Sequence, residues 1–502
     1  MAGPGFILAL DQGTTSTRAM LFDAGGDPVA MSAEPLEQHY VKAGWVEHDA
    51  DDIWRATLKV GRAVLAGRDL AKVAAIGITN QRETTVVWDR ATGKPLARAI
   101  VWQDRRTEPL CRELAREGLG GHVAATTGLV IDPYFSATKI AWLLENVPGL
   151  RKKAEAGDAC FGTVDSWLIW NLTGGAAHVT DATNASRTMV YDIGRGDWDP
   201  KLVGRFGIPR AMLPRVLDCQ SDFGMAGAGH FGRELPVLGC AGDQQAAAFG
   251  QACFEPGMIK ATYGTGCFVL VNTGEAQVAS RNRMLTTIGE SGGGRVVYAL
   301  EGAIFMAGAT IQWLRDSLGI FVDAAESEAM AGAADPDSGV YLVPAFQGLG
   351  APHWDANARA AIHGLSRAAG RNEIARAGLE SVAFQTVDLL DAIGRDMEHA
   401  GLTPPGTLRV DGGMTANGWV MQFLADVTRL PVEVARHPET TALGAACHAG
   451  LRAGFYASRE QLARNWRPSR RFEPRMPEAE RVRRLAGWHE AVSRVLSARP
   501  DM

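Results

Sequence analysis

Two stretches of this chain share one layout, and that layout constrains the fold more than any other feature. The first is an apolar run from Phe6 to Leu10, the turn Asp11-Gln12-Gly13-Thr14-Thr15-Ser16, and a second run from Arg18 to Phe22. The second is Met258 to Tyr263, the turn Gly264-Thr265-Gly266, and Cys267 to Asn272. Each reads as strand, tight polar turn, strand. The letters diverge too far for a sequence repeat, but the architecture returns. A chain of 502 residues also exceeds what one hydrophobic core fills. Two domains are therefore expected, residues 1–252 and 253–502, with strands and helices mixed in both.

The remaining elements fit an α/β reading. Gly25-Gly26-Asp27 turns into a strand near Val29 to Ser32. Further strands are predicted at Val73 to Thr79, Thr84 to Trp88 and Ala99 to Trp102, with Ala91-Thr92-Gly93-Lys94 as a hairpin turn between the last two. From Glu373 the apolar positions Ile374, Leu379, Val382, Ala383, Leu389, Leu390, Ile393 and Met397 mostly keep helical spacing, with Asn372 as N-cap. Leu408-Arg409-Val410 leads into Asp411-Gly412-Gly413, and Val420, Phe423, Leu424 and Val427 mark another helical face. The Arg-rich stretch from about residue 463 onward reads as helical decoration.

Composition excludes several classes. A net charge of −5 and a pI near 6.2 disfavour nucleic acid as a main partner, because phosphate backbones are bound by clustered Lys and Arg. With 46% apolar and 21% charged residues, nothing points to disorder. There is no apolar run long enough for a membrane span, and residues 1–5 lack the basic and apolar regions of a signal peptide. The seven cysteines are scattered without a Cys-x-x-Cys pair, so free thiols in a reducing cytoplasm are expected rather than a zinc or redox motif. In that compartment the N-glycosylation acceptor patterns Asn171-Leu172-Thr173 and Asn184-Ala185-Ser186 are chance.

Some motif matches fail on context. Gly289-Glu290-Ser291-Gly292-Gly293 fits a hydrolase nucleophile elbow, but a strand at Arg295 to Leu300 follows where a helix is needed, so a hairpin turn is expected. Gly227-Ala228-Gly229-His230-Phe231-Gly232 fits a dinucleotide fingerprint, but Pro236 follows, and a flexible surface loop is expected. No Walker-type phosphate loop exists.

A triphosphate needs backbone N–H groups, hydroxyls and a cation held by carboxylate. The first turn supplies Gly13 for close approach, the hydroxyls of Thr14, Thr15 and Ser16, and the charge of Arg18. Asp11, ending its strand, is placed to hold Mg²⁺ through water. Gly264-Thr265-Gly266 is a second such turn, and Asp411-Gly412-Gly413 a third, suited to the flat face of a nucleoside. Each alone is ordinarily just a turn; together they point to a nucleotide.

The pattern resembles the sugar-kinase, actin and heat-shock ATPase superfamily, and within it the FGGY carbohydrate kinases. The resemblance rests on Leu10 to Ser16, Ile78-Thr79-Asn80-Gln81-Arg82-Glu83-Thr84, Val101-Trp102-Gln103-Asp104-Arg105-Arg106, Gly128 to Ser136, Ala241-Gly242-Asp243-Gln244-Gln245-Ala246 and Tyr263 to Phe268. It runs from about residue 6 to 455. It implies two ribonuclease-H-like, actin-like ATPase domains with a cleft between them. It also implies phosphoryl transfer from ATP, with Mg²⁺, to a small polyol, glycerol above all. Arg82, Glu83, Tyr134, Asp243 and Gln244 match the family's polyol-binding positions, and Trp102 and Phe268 its apolar walls. Asp243 would be the general base, since a carboxylate near a hydroxyl can take its proton as the P–O bond forms. Thr14, Arg18 and Thr265 would hold the β- and γ-phosphates, and Gly308, Gln312, Gly413 and Asn417 match nucleotide positions. A homo-oligomer, dimer or tetramer, is expected.

The loop from Gly227 to Glu234 departs from the family's pattern for binding fructose 1,6-bisphosphate, with Glu234 where an arginine would fall. Weak or absent inhibition by that sugar follows. His230 reads as an exposed loop histidine rather than a phosphorylation site. A related kinase acting on a larger polyol or sugar is the nearest rival, and Trp102, Tyr134 and Phe268 crowd the room it would need. A non-enzymatic ATPase switch would lack the polar cluster of Arg82, Glu83 and Asp243.

Overall fold

The structure, a computed structural model, describes residues 5–355 and 357–497. Residues 1–4, where the absence of a signal peptide was read, and 498–502 lie outside the described residues.

Two mixed sheets carry the fold. The first contains β1 (Phe6–Gln12), β2 (Ser16–Phe22), β3 (Pro28–Pro35), β4 (Val73–Asn80), β5 (Met225–Ala226) and β6 (Leu235–Gly242), in the order β5-β6-β4-β1-β2-β3. The second contains β7 (Ile259–Tyr263), β8 (Cys267–Gly274), β9 (Leu285–Gly292), β10 (Arg295–Ile304), β11 (Leu408–Asp411), β12 (Val432–Ala435) and β13 (Pro468–Phe472), in the order β9-β10-β8-β7-β11-β12-β13. In each, an antiparallel meander continues into two parallel strands: β3-β2-β1 into β4 and β6, and β10-β8-β7 into β11 and β12. The repeated hairpin layout thus opens the same sheet topology twice.

Burial explains the strand patterns. Ile7 to Leu10 of β1 are fully buried because β1 sits mid-sheet with both faces covered, and it reads as a continuous apolar run. β3 is an edge strand and alternates half-buried with exposed residues. The parallel register aligns Asp11 with Thr79 and Thr79 with Ala241, so the C-terminal ends of β1, β4 and β6 open on one side. In the second sheet Thr262 aligns with Asp411, bringing the ends of β7 and β11 together. Carboxyl ends of parallel strands are where such sheets bind ligands.

The helices that matter for the site are α1 (Ala50–Leu65), α2 (Ser136–Asn146), α3 (Asp243–Gly250), α4 (Gly308–Asp316), α5 (Arg371–His399), α6 (Gly418–Thr428), α7 (Thr440–Arg452) and α8 (Glu478–Ser493). α7 follows the second sheet in sequence yet packs on the first, against β4, β6, β1 and α3. Ala442, Ala446 and Ala449 of α7 join Ile7, Ala9 and Ala75 in one core cluster. A side chain at Gly77 would place its Cβ 2.1 Å from Ala445 O, so glycine there permits the approach.

Several sequence expectations are corrected. Asn372 lies inside α5, whose N-cap is Gly370; the Glu373 carboxylate accepts the Gly370 N–H at 2.7 Å. Residues 84–88 and 99–102 shrink to strands at Val86–Asp89 and Ala99–Ile100, whose ladders run with Ala159–Gly162 and Glu47–His48; with each other they make the antiparallel bridges Thr85–Ile100 and Trp88–Pro95. The turn between them folds back as expected, with Gly93 N–H donating to Asp89 O at 2.8 Å, Asp89 N–H to Lys94 O at 2.9 Å and Leu96 N–H to Val87 O at 2.9 Å. The Gly289–Gly292 stretch is strand, and the chain reverses at Gly293-Gly294. The Gly227 stretch is no loose loop. Ala228–Phe231 forms a helical turn, and Arg62 of α1 donates to the carbonyls of Gly229 and His230 at 3.1 and 2.7 Å. His230 is half-buried, its ring edge-on to Trp54 at 5.2 Å. The C-terminal stretch contributes the edge strand β13 before α8.

Among the described residues no helix is long and apolar enough to cross a membrane. All seven cysteines are free and buried.

Candidate functional site

Three strand ends of the first sheet supply the polar residues. β1 delivers Asp11 and the turn that follows it, β4 runs into Gln81-Arg82-Glu83, and β6 runs into Asp243 at the first turn of α3. Gln81 ties β4 to β1: its backbone N–H donates to Gln12 O at 2.7 Å and its Nε2 to Gln12 Oε1 at 3.1 Å. Glu83 then takes φ 59°, a left-handed conformation that costs a non-glycine residue about 1–3 kcal/mol. Ion pairs fix its own side chain and that of Arg82 before it.

Arg82 is buried, and both of its Nη groups are hydrogen-bonded. Its Nη1 donates to Glu301 Oε2 at 2.6 Å and Gln245 Oε1 at 3.1 Å; its Nη2 donates to Glu301 Oε1 at 3.2 Å and the Tyr134 hydroxyl at 3.4 Å. Its Nε lies 3.2 Å from Asp243 Oδ1 and 3.9 Å from Glu83 Oε1. Arg187 donates from Nε to Glu83 Oε1 at 2.6 Å and from Nη2 to Glu301 Oε1 at 2.8 Å. Two guanidinium groups and two carboxylates thus balance one another, as buried charge requires. Burial pushes the Glu301 carboxyl up, but Arg187 and Arg82 outweigh it and hold the group down at about 2. For Asp243 the balance falls the other way. Burial raises its pKa more than Arg82 and Lys260 lower it. Its side chain remains 31% exposed, against 1–2% for those of Arg82, Glu83 and Glu301. It is the most open carboxylate of this group.

Lys260 of β7 reaches the same place from the second sheet. Its ammonium donates to Gln244 Oε1 and, at 2.8 Å, to Thr262 Oγ1. Burial lowers its pKa, opposed by the charges of Asp411 and Asp243.

Aromatic rings stand beside the polar group. The Trp102 ring meets Tyr134 at 5.6 Å and Phe268 at 6.3 Å, both edge to face. Trp102 Nε1 donates to Thr14 Oγ1 at 2.9 Å, joining this wall to the first turn. Tyr134 is presented by a loop that Lys139 of α2 clamps, donating to the carbonyls of Pro133 and Tyr134 at 2.6 Å each and Phe135 at 3.1 Å.

The glycine-rich turns form two groups. In the first, Gly13 N–H donates to Ser16 O at 2.9 Å, Thr15 is exposed, and Arg18 pairs with Glu439 at 2.6 Å. Asp11, level with Arg18 across the hairpin, is pushed up to about 7, chiefly by burial and despite Arg18. In the second group, Ala307 and Ala309 N–H donate to Thr265 O at 3.0 Å each, and Gly308 N–H to Gly264 O at 2.9 Å. Gly412 has φ 92°, and a Cβ there would lie 2.4 Å from Tyr263 O, so the turn at 412–413 packs backbone to backbone on the end of β7.

The structure therefore brings Arg82, Glu83, Tyr134, Asp243, Trp102, Phe268 and Thr14 into one contact network, with Gln244 attached through Lys260. Thr265 and Gly308 share the second group, with Gly413 beside it and Gln312 exposed further along α4. Asn417 caps α6, its Oδ1 accepting the Val420 N–H at 3.0 Å, and donates to Ser327 Oγ at 3.4 Å.

Sequence reasoning missed Arg187, Lys260, Glu301 and Glu439. A signal existed for Lys260 and Glu301: each is a charge inside an otherwise apolar strand, where it must be buried and paired. Arg187 and Glu439 carry no such mark, because their partners are distant in sequence.

Comparison with known proteins agrees along the whole length. Residues 6–250 match the N-terminal domain of the FGGY family of carbohydrate kinases, and residues 259–453 its C-terminal domain. The chain is 58% identical over 495 residues to a glycerol kinase of Brucella ovis, covering 98% of this chain and 99% of that protein. It is 57% identical over 499 residues to a glycerol kinase of Agrobacterium fabrum, covering 99% and 100%. The crystal structure of Plasmodium falciparum glycerol kinase with ADP superposes with a TM-score of 0.92 at 38% identity, covering 99% of this chain and 100% of that one. The expected two-domain, actin-like α/β fold holds.

Proposed function

The chain belongs to the FGGY family of carbohydrate kinases, and on that premise we propose that it is a glycerol kinase, converting ATP and glycerol to ADP and sn-glycerol 3-phosphate. The observation that carries the reading is the placement of Asp243: a partly open carboxylate beside a locked polar network and an aromatic wall. Glycerol offers hydroxyls on a short carbon chain. Arg82, Glu83, Tyr134 and Gln244 supply matched donors and acceptors, and Trp102 and Phe268 cover the carbons. A longer polyol or a sugar would meet those rings.

Asp243 acts as general base. Its proton affinity is raised by burial, which suits a group that must take a hydroxyl proton. As the proton moves to Asp243, the acceptor oxygen bonds to the γ-phosphorus and the bond to the β,γ-bridging oxygen breaks, releasing ADP. The rest of catalysis is alignment and charge neutralisation. The turn at Gly13–Ser16, Arg18 and Thr265 take the phosphates, and Gly308, Gln312, Gly413 and Asn417 the nucleoside side.

Asp11 is the position for Mg²⁺. A hard carboxylate at a strand end, costly to keep charged without more positive neighbours than Arg18, fits a divalent cation. Bound there, Mg²⁺ would neutralise phosphate charge.

The division near residue 252 belongs to the same reading, with residues 1–252 holding polyol and phosphate and 253–502 the nucleotide. The enzyme is a cytoplasmic homo-oligomer. Its inhibition by fructose 1,6-bisphosphate is weak or absent, since Glu234 is exposed on the loop that would need a cation.

The test is a coupled ADP-release assay with and without glycerol. ADP release should depend on glycerol, and Asp243→Ala should lose turnover while still binding ATP. Faster turnover of a pentulose than of glycerol would transfer the assignment to another polyol or sugar kinase. Turnover indifferent to glycerol would favour an ATPase switch.

A further inference from the structure

We infer that Glu301 is a positioning residue for the acceptor, gripping the far end of the Arg82 guanidinium from the second sheet so that only its Nε edge faces Asp243. The inference rests on the reading of Asp243 and Arg82 as base and polyol ligand.

A guanidinium fork pairs best with a carboxylate through two parallel N–H groups. Arg82 gives that fork to Glu301, with Nη1 and Nη2 at 2.6 and 3.2 Å from its two oxygens. Asp243 receives only the Nε side, at 3.2 Å. Other carboxylates nearby cannot replace Glu301. Glu83 already accepts from Arg187 at 2.6 Å, and its approach to Arg82 is 3.9 Å. The charged groups acting on Asp243 are Arg82, Lys260 and Glu301, with Asp11 coupled to it from β1. Without the Glu301 charge, the fork is left to close on Asp243, covering the base and turning the Nε N–H away from the polyol.

The grip also spans the cleft. Glu301 lies on β10, which ends at Ile304 and leads into Gly308 at the start of α4. The segment that reaches the second glycine group thus also holds the acceptor arginine on the first sheet. Arg187 shares Glu301 Oε1 at 2.8 Å and keeps the node neutral.

The test compares kcat/KM for glycerol, propane-1,2-diol and propane-1,3-diol in wild type, Glu301→Gln and Glu301→Asp. Glu301→Asp keeps the buried charge and the Arg187–Glu83 pair but draws the carboxylate back by one methylene, and it carries the same expectation if Glu301→Gln does not fold. Loss of the grip should lower kcat/KM for glycerol on the order of 100-fold, with KM for ATP unchanged. The penalty for at least one missing hydroxyl should shrink on the order of tenfold, because Arg82 no longer stands ready to pair with it. General loosening would instead reduce all three substrates by one factor, and that result overturns the inference alone. A wild type that releases ADP regardless of glycerol overturns the acceptor reading and this inference with it.

Discussion

Arg18 Nη1 and Glu439 Oε2 form a 2.6 Å ion pair that joins β2 of the first sheet to the N-cap of α7. The cation proposed to take phosphate is therefore held by a carboxylate. Both side chains are partly exposed, 38% and 22%, so the pair is worth about 0–1 kcal/mol. A triphosphate has to compete for Arg18. Glu439→Gln should lower KM for ATP by up to about fivefold, and Arg18→Ala should raise it. Steady-state kinetics at saturating glycerol decides. A higher KM in Glu439→Gln would make Glu439 itself part of the nucleotide site.

The aromatic wall should set substrate size. Phe268 is half-buried and meets Trp102 edge-on at 6.3 Å, while Trp102 also donates to Thr14. Phe268→Ala opens the wall without cutting that hydrogen bond. We expect lower kcat/KM for glycerol, by on the order of 10-fold or more from lost apolar cover, and a relative gain for a four-carbon polyol such as erythritol. An unchanged ratio of the two substrates would remove Phe268 from the pocket.

What could be read from the chain beforehand follows the range of the interactions. The hairpins at Gly13 and Gly264 are legible because turn chemistry and short apolar runs are local. Arg82 and Asp243 were legible only through their motifs. That Arg82 leans on Glu301, 219 residues away, was not, since a pairing at that distance leaves no period or spacing. The same holds for α7, whose apolar face gives no hint that it covers the first sheet rather than the second. The N-cap of α5 falls at Gly370 rather than Asn372 because the Glu373 side chain closes back on the Gly370 N–H, a contact that the apolar periodicity does not mark.

Gly412 gives a stability prediction confined to the second glycine group. At φ 92°, with a Cβ due 2.4 Å from Tyr263 O, alanine meets both backbone strain and a clash with main chain that cannot step aside. Gly412→Ala should cost about 1–3 kcal/mol from the strain alone and raise KM for ATP more than KM for glycerol. Equal effects on both would place the turn outside the nucleotide side of the cleft.

His448 of α7 sets a pH dependence of stability. It is 1% exposed, stacked on Phe249 at 3.8 Å, with Nδ1 3.4 Å from Gln220 Nε2. Burial, and secondarily Arg459, push its pKa down to about 3. Arg459 in turn pairs with Glu290, which also accepts from Gln220 at 3.0 Å. The unfolded chain protonates His448 near the ordinary value of 6.5; the folded chain does not until far lower pH. Below that value the unfolded state binds more protons, so this contribution is present at neutral pH and lost as pH falls. The slope is about 1.4 kcal/mol per pH unit. Asp165 and Glu290, both raised to about 7, act in the opposite sense, since the folded chain holds their protons where the unfolded one releases them. The whole-protein curve therefore mixes the two signs, and the histidine is isolated by difference. Denaturant unfolding of wild type and His448→Leu at pH 6, 5 and 4 should show the variant gaining on wild type by about 1.4 kcal/mol per pH unit as acidity rises. Parallel curves would mean that His448 is charged in the folded protein, and its burial against Phe249 would then need a carboxylate partner that Glu290, through Arg459 and Gln220, does not provide.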